Sequence, residues 1–276
     1  SNDENNNSNE DIELDLNFRE RQDSIETLSI GSNFSIDSID CFRFHKFCTL
    51  KNYPVQVMCI QKFTNTLDNL LDNGYDMSLD EWESILYQVC FGLAVIQKQF
   101  LFVHNDLHSS NLMFEETKLE YLYFCYNDKY YKIKTFGKIT KIIDFGRATF
   151  KVGDRIYFSD VFKKNGDAEG QYNYPYNNNI NNCKIRPNMS FDLSRLSTTI
   201  LEHFVEDSDV FRLLKIWATD KHGNFLMNYD DDFNLYKKIA KDVTSAVPKH
   251  QLEKTIFRKY LVKKKEIPNG AFIYYY

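Results

Sequence analysis

Glycine and proline are scarce in this chain of 276 residues, numbering 10 and 5. That excludes collagen-like repeats and Pro/Gly-rich low-complexity architecture. No apolar run approaches the roughly 18 residues needed to cross a bilayer as a helix, so no membrane contact is expected. The first ten residues, Ser1 to Glu10, are Asn-rich and acidic. They lack the basic start and apolar centre of a signal peptide and the Arg-rich pattern of a transit peptide. The six cysteines (Cys41, Cys48, Cys59, Cys90, Cys125, Cys183) form no CxxC. No disulfide framework is expected, and a reducing, cytoplasmic compartment follows. An excess of positive charge is also missing: 34 Lys and Arg stand against 39 Asp and Glu, a net charge of -5. Global electrostatics therefore gives no argument for a nucleic-acid partner.

What remains is an ordinary globular balance of 43% hydrophobic and 26% charged residues, enough for one large domain or two small ones. The 18 Tyr and 23 Phe, with abundant Asn, Lys and Ile, share AT-rich codons and reflect genome bias in part. The first residue is Ser, so either an initiator Met was removed or the chain was cut from a longer one. Residues 1–40 are polar and acidic without sustained periodicity, and disorder is expected there. Residues 42–47 alternate apolar and polar, Lys51 to Pro54 gives a turn, and Val55 to Phe63 is a second strand-like run. An antiparallel pair is expected.

From Ser78 the period changes. Leu79, Trp82, Ile85, Leu86, Val89, Cys90, Leu93 and Ile96 follow helical spacing, and Ser78 with Glu81 forms a capping box. Short strands are expected at 111–114, 119–126, 129–136 and 138–144, the middle two joined by the hairpin turn Asn127-Asp128. Residues 147–190 show no period, and an unstructured connection of that length is usually functional. Helices are expected at 192–204, 210–219, 233–243 and 251–261. The basic run Lys249 to Lys265 reads as a solvated helix face or as an anionic contact.

The chemistry concentrates in His104-Asn-Asp-Leu-His-Ser-Ser-Asn111, directly after the long helix, and in Ile143-Asp-Phe-Gly146 at the end of a strand. In that order, with helix before and strands between, the two strings resemble the catalytic loop and metal-binding turn of the protein-kinase superfamily. The resemblance implies an α+β, protein-kinase-like fold with a mostly helical large lobe. Asp106 would accept the proton of the acceptor hydroxyl, and His108 would contact the γ-phosphate or the acceptor. Asn111 and Asp144 would hold Mg²⁺ on the phosphates of ATP. Gly146 would permit a sharp turn and Phe145 would pack inward near His104. By position Ile60 looks like the gatekeeper, Gln61 to Phe63 the hinge at the adenine, and Met113 the adenine floor. Asp192 falls where the family has a buried Asp bracing the catalytic loop, although an ordinary helix N-cap also fits it. His104 and His108, four apart, could alternatively be read as a zinc pair.

The resemblance spans about residues 50–260, with departures. Asn105 stands where the family's Arg meets a phosphorylated activation loop, so control by that route is not expected. His108 replaces the usual Lys, and the Asp-Leu-His variant is similar to haspin-like kinases and aminoglycoside phosphotransferases. Residues 115–138 form an inserted hairpin. Gly166 to Tyr172 and Arg186 to Asp192 occupy the activation segment, 144–191, in place of an Ala-Pro-Glu ending. With the compositional bias, these strings resemble protein-kinase-like proteins of giant DNA viruses, which would place the chain in host cytoplasm or virion. No Gly-x-Gly and no Val-Ala-Ile-Lys-like strand occurs before residue 60, so the family's Gly-rich loop and strand Lys have no clear counterpart, Lys46 and Lys51 being remote substitutes. Hence 41–65 reads as a truncated β small lobe with hinge, and 66–276 as the large lobe. The expected activity is an ATP- and Mg²⁺-dependent phosphotransferase, of the protein Ser/Thr kinase type, with a protein substrate. A scaffold that uses the fold for binding and a small-molecule kinase are the alternatives.

Overall fold

In the computed structural model the described residues are 18–19, 47–48, 59–172, 187–204, 207–228 and 232–276. The chain divides into two units, Ser1–Gln61 and Lys62–Tyr276. In the first, β1 (Phe18–Arg19) pairs antiparallel with β2 (Phe47–Cys48). The rest of the expected disordered segment and of the 42–47/55–63 strand pair lies outside the described residues up to 58. Cys59 to Phe63 carry no strand. The first ladder of the second unit starts later, because the Thr64 N–H and hydroxyl both donate to the Phe114 carbonyl, at 3.2 and 3.0 Å. That contact sets β3 (Asn65–Thr66), and Thr66 then caps the short helix α1 (Leu67–Asp72) by accepting from the Asn69 N–H.

The second unit is a mixed α/β structure around α2 (Leu79–Phe100). Trp82, Ile85, Leu86, Tyr87, Val89, Cys90, Phe91, Leu93 and Ala94 are all buried on it. A helix apolar on nearly every side must sit inside the core rather than on it. Ser78 caps its start, as the spacing predicts, but the reciprocal half of the box is missing. The Glu81 carboxylate is drawn instead to Lys138 Nζ at 2.7 Å. The helix stops at Leu101 in a left-handed conformation, φ 47°.

Two sheets flank this helix. One has the order β3–β4–β7, with β4 (Leu112–Glu116) central and β7 (Lys138–Ile142) antiparallel to it. The other is built on the hairpin β5 (Tyr121–Tyr126) and β6 (Lys129–Lys134). Asn127 and Asp128 both adopt positive φ, 49° and 58°, the signature of a type I′ turn whose twist matches the strands. This hairpin is part of the core. Tyr87 packs its ring against Phe124, Tyr131 and Phe257 at 5.1–5.4 Å. The C-terminal segment completes the sheet: β10 (Leu261–Val262) joins β6, and β11 (Ile273–Tyr275) runs parallel to β5.

Within the segment 147–190 a small hairpin forms, β8 (Phe150–Val152) and β9 (Arg155–Tyr157), turned by Gly153 at φ 56°. Three helices follow: α3 (Phe191–Ile200), α4 (Asp209–Trp217) and α5 (Asp232–Asp242), close to the expected ranges. The helix expected at 251–261 is instead a pair of 3₁₀ turns, Pro248–His250 and Thr255–Tyr260. The cause is the buried Gln251. Its amide donates to the Ser245 and Val247 carbonyls and accepts from Trp217 Nε1 at 3.0 Å, which ties the backbone into turns. The basic run is accordingly no single helix face, and Lys259 is spent on Asp80 and Glu83. Among the described residues no helix is long and apolar enough to cross a membrane.

The turn at Asp128 yields a test. Asp128→Gly removes the left-handed penalty of a Cβ residue and keeps the turn. It should raise stability by about 0.5–1 kcal/mol, read as a higher unfolding midpoint in urea. A lower midpoint would show that the Asp128 side chain, not its backbone angle, holds the turn.

Candidate functional site

The site is assembled by the β4–β7 ladder and by one buried carboxylate. Leu112 pairs with Ile142, and the Ile143 N–H donates to the Asn111 carbonyl at 3.0 Å. Asn111 therefore lies opposite Ile143, and Asp144 is the next residue out. Asp144 is exposed and left-handed, φ 61°, and its Oδ1 accepts from the Gly146 N–H at 3.2 Å. The sharp turn expected from Gly146 is thus made by Asp144. Gly146 matters for space, because a Cβ there would stand 3.1 Å from Asp144 Oδ1. Phe145 reaches His104, with ring centroids 5.5 Å apart, but stays 55% exposed.

The loop from His104 to Asn111 is held from below by Asp192 in α3. This side chain is fully buried. Oδ2 accepts the His104 N–H and Oδ1 the Asn105 N–H, both at 3.0 Å. Of the two sequence readings for Asp192, the N-cap one does not hold, since the N-cap of α3 is Ser190 and Asp192 is the second residue of the helix, in its first turn, with its carboxylate turned to the loop backbone. Burial pushes the Asp192 carboxyl up to about 6, against the pull of His104 and the two N–H bonds. The His104 ring donates from Nε2 to the Ile143 carbonyl at 2.8 Å, tying the loop to the strand that carries Asp144.

Asn105 occupies the position where an Arg is usual, and the structure shows what it does instead. It is buried and left-handed, φ 65°. Its amide nitrogen lies 2.9 Å from the Arg147 carbonyl and 3.2 Å from Thr149 Oγ1, while its oxygen accepts the Tyr172 hydroxyl. Gln171 Nε2 donates to its carbonyl at 3.4 Å. One neutral side chain therefore links both ends of the segment 147–172 to the loop. Gly166 lies on that path, where a Cβ would run into the Val161 carbonyl.

At the open side of the loop, Asp106 Oδ1 accepts the Tyr236 hydroxyl and Oδ2 lies 3.6 Å from Arg147 Nε. The Asn111 amide nitrogen donates to the Asp106 carbonyl at 2.9 Å, which fixes the orientation of that amide. Its second contact, 3.1 Å to His108 Nε2, makes that ring nitrogen an acceptor. Burial depresses the His108 pKa against the opposing pull of Asp106 and Asp68, with Arg195 and His104 adding to the depression, and with Nε2 accepting from Asn111 the ring's donor is Nδ1–H. With both amide protons engaged, the Asn111 oxygen is left as a ligand atom. Ser109 and Ser110 both donate to Asp68 of α1, at 2.6 and 3.0 Å.

Asn111 and Asp144 are a fitting pair for Mg²⁺, which takes one or two protein oxygens beside substrate phosphates. Zinc does not fit. Among the described residues no group of three His, Cys, Asp or Glu gathers, and His104 is committed to a backbone carbonyl. Met113 lies in β4 between Thr66 and Lys141, on the face opposite the buried Leu112 and Phe114. Phe63 is half-buried, immediately before the Thr64 contact to the same strand. Ile60 and Gln61 are both exposed and belong to the first unit.

Comparison with known proteins finds partial matches to serine/threonine-protein kinases. The chain is 36% identical over 87 residues to a probable serine/threonine-protein kinase of Dictyostelium discoideum, a match covering 29% of this chain and 7% of that protein. It is 38% identical over 85 residues to the serine/threonine-protein kinase haspin homolog of Arabidopsis thaliana, covering 31% of this chain and 14% of the relative. To haspin of Bos taurus it is 31% identical over 94 residues, 34% of this chain and 12% of the relative. No family model matches. Over that stretch the chain is protein-kinase-like. It spans about a seventh or less of the length of these curated relatives.

Several residues of the site are not readable from the motifs. Tyr236, Tyr172 and Asp68 come from distant segments, and only the fold delivers them. Arg147 could have been found, since it directly follows Ile-Asp-Phe-Gly.

The Asp192 brace gives the prediction. Asp192→Asn sets an amide NH₂ against a backbone N–H and should cost about 1–3 kcal/mol in urea unfolding. The folded carboxyl, at about 6, lies above its ordinary 3.8. Its contribution is therefore complete below about 4 and is lost as pH rises through about 6. The stability margin of wild type over Asp192→Asn should widen from pH 7 to pH 5, and a constant margin would contradict the assignment.

Proposed function

We propose that the chain is an ATP- and Mg²⁺-dependent phosphotransferase of the protein Ser/Thr kinase type. Residues 66–276 would be a kinase-like, mostly helical large lobe and 41–65 a truncated small lobe with hinge. The observation that carries the reading is the adjacency of Asn111 and Asp144 across the β4–β7 ladder, beside an Asp106 whose loop is braced by Asp192.

Phosphoryl transfer demands positioning and charge compensation more than covalent chemistry. Asp106 would accept a hydrogen bond from the acceptor hydroxyl and take its proton as the acceptor oxygen bonds to the γ-phosphorus and the bond from that phosphorus to the leaving ADP breaks. Asn111 and Asp144 would hold Mg²⁺, which when bound neutralises charge on the phosphates. The neutral His108 orients Asn111 through Nε2 and would offer Nδ1–H to the γ-phosphate or the acceptor. Met113, turned away from the core, would floor the adenine, and Phe63, next to the Thr64 contact with the same strand, would border it.

The similarity to serine/threonine-protein kinases favours a protein acceptor over a small molecule. A phosphate-accepting screen of Ser/Thr peptides against sugars and aminoglycosides separates the two.

Asp106→Ala should lower transfer by about 10²–10⁴-fold, the usual worth of a positioned general base. Asp144→Ala should abolish both transfer and the Mg²⁺-dependent part of the ATP-induced rise in melting temperature. At 100 times Kd that rise corresponds to about 2.7 kcal/mol. Unchanged transfer in either variant sinks the assignment. A wild-type chain with no response to Mg·ATP favours a binding scaffold instead.

A further inference from the structure

The Asp106 carboxylate has a tie that the loop itself does not supply. Tyr236, from α5, donates its hydroxyl to Oδ1, while Arg147 Nε approaches Oδ2. The Tyr236 ring is 7% exposed and packs on Phe191 at 5.8 Å between centroids. The guanidinium groups of Arg147 and Arg195 lie 5.5 and 4.9 Å from its centroid. A hydroxyl bonded to this carboxylate could be a stand-in for the acceptor that leaves when substrate arrives. The burial argues otherwise, because this phenol is part of the core cluster.

Its helix is also anchored. Asn188 Nδ2 donates to the carbonyls of Ile239, Ala240 and Val243 at 2.8–3.1 Å, closing the C-terminal end of α5. Lys238, on the same helix, pairs with Asp220 at 2.9 Å and with Asp242 at 3.0 Å. Tyr236 cannot swing away unless α5 moves with it.

We infer that Tyr236 is a positioning residue for the reaction proposed above, fixing the rotation of the Asp106 carboxylate. A carboxylate rotates about a broad, soft torsion, so one tie leaves it free to turn. Two ties on different oxygens stop it. Each ionised oxygen offers two lone pairs, so one site per oxygen stays open for an acceptor hydroxyl. Burial, with a further contribution from the Asp106 bond, keeps the Tyr236 hydroxyl protonated above the ordinary phenol range, while Arg195 pulls the other way. The phenol thus remains a donor at neutral pH.

The inference rests on the phosphotransferase reading, and two measurements on the full chain test it. Tyr236→Phe keeps the ring and removes the donor. We expect kcat to fall about tenfold, with KM for ATP and for the acceptor peptide unchanged, since orientation of the base is felt in the chemical step. A shift in KM with kcat retained, or no change at all, overturns the role. The second measurement needs no activity. With ¹³Cζ-labelled tyrosine, NMR titration should show Tyr236 ionising at lower pH in Asp106→Ala than in wild type, and an unmoved titration overturns the contact itself. A wild-type chain that transfers no phosphate overturns the phosphotransferase reading and this role with it. An active wild type with an unaffected Phe variant overturns this role alone.

Discussion

Two backbone N–H groups, those of His104 and Asn105, point at the two oxygens of one buried carboxylate, Asp192. Everything on the loop hangs from that arrangement. A buried charge is costly unless it is paired, and here the payment comes from backbone donors whose positions then cannot vary. Asn105 can hold its left-handed angle because its N–H has a fixed acceptor. The side chains of Asp106, His108 and Asn111 are referenced to the same anchor. His104 extends it to β7 through the Ile143 carbonyl, so Asp144 is placed relative to Asp192 by a continuous chain of hydrogen bonds.

Asn105, at the position where the resembled kinases carry Arg, makes a different kind of tie to the segment 147–172. An Arg there invites an anion, and a charged partner can be added or removed. Asn105 instead uses short neutral hydrogen bonds to Arg147, Thr149 and Tyr172. These are buried, where a neutral bond costs little to keep and an unmade one costs much. The Val103–Thr149 bridge adds a backbone pair at the same place. The segment is held to the loop by neutral bonds to its own residues.

The sequence motifs pointed to the loop and the strand end that the fold brings together, but not to their surroundings. Asp106, Asn111 and Asp144 could be read because they lie within short strings whose spacing is set by a loop and one strand ladder. The helix at 79–100 was equally plain, since its apolar positions repeat at helical spacing and Ser78 marks its start. The Asn127-Asp128 turn was readable for the same local reason, and Gly153-Asp154 carried a comparable hairpin signal that the lack of period around it obscured. Where the reading failed, long-range contacts decided. No local feature reveals that Gln251 would break 251–261 into turns by reaching Trp217, or that the aromatic C-terminus would lie along β5. Glu81 satisfied the capping pattern and still went to Lys138, because an ammonium is a stronger partner than a backbone N–H.

The same distinction explains Tyr236. A hydroxyl 130 residues from Asp106 leaves no trace in spacing, yet it touches the atom on which the proposed chemistry turns. Such a residue becomes visible only when two helices, α3 and α5, are packed together by Phe191, Arg195 and Asn188. The loop supplies the carboxylate of the proposed chemistry, and the helical core supplies its direction. A site built this way divides its requirements: the motif residues set which bonds can form, and residues drawn from the core set how often the geometry is right.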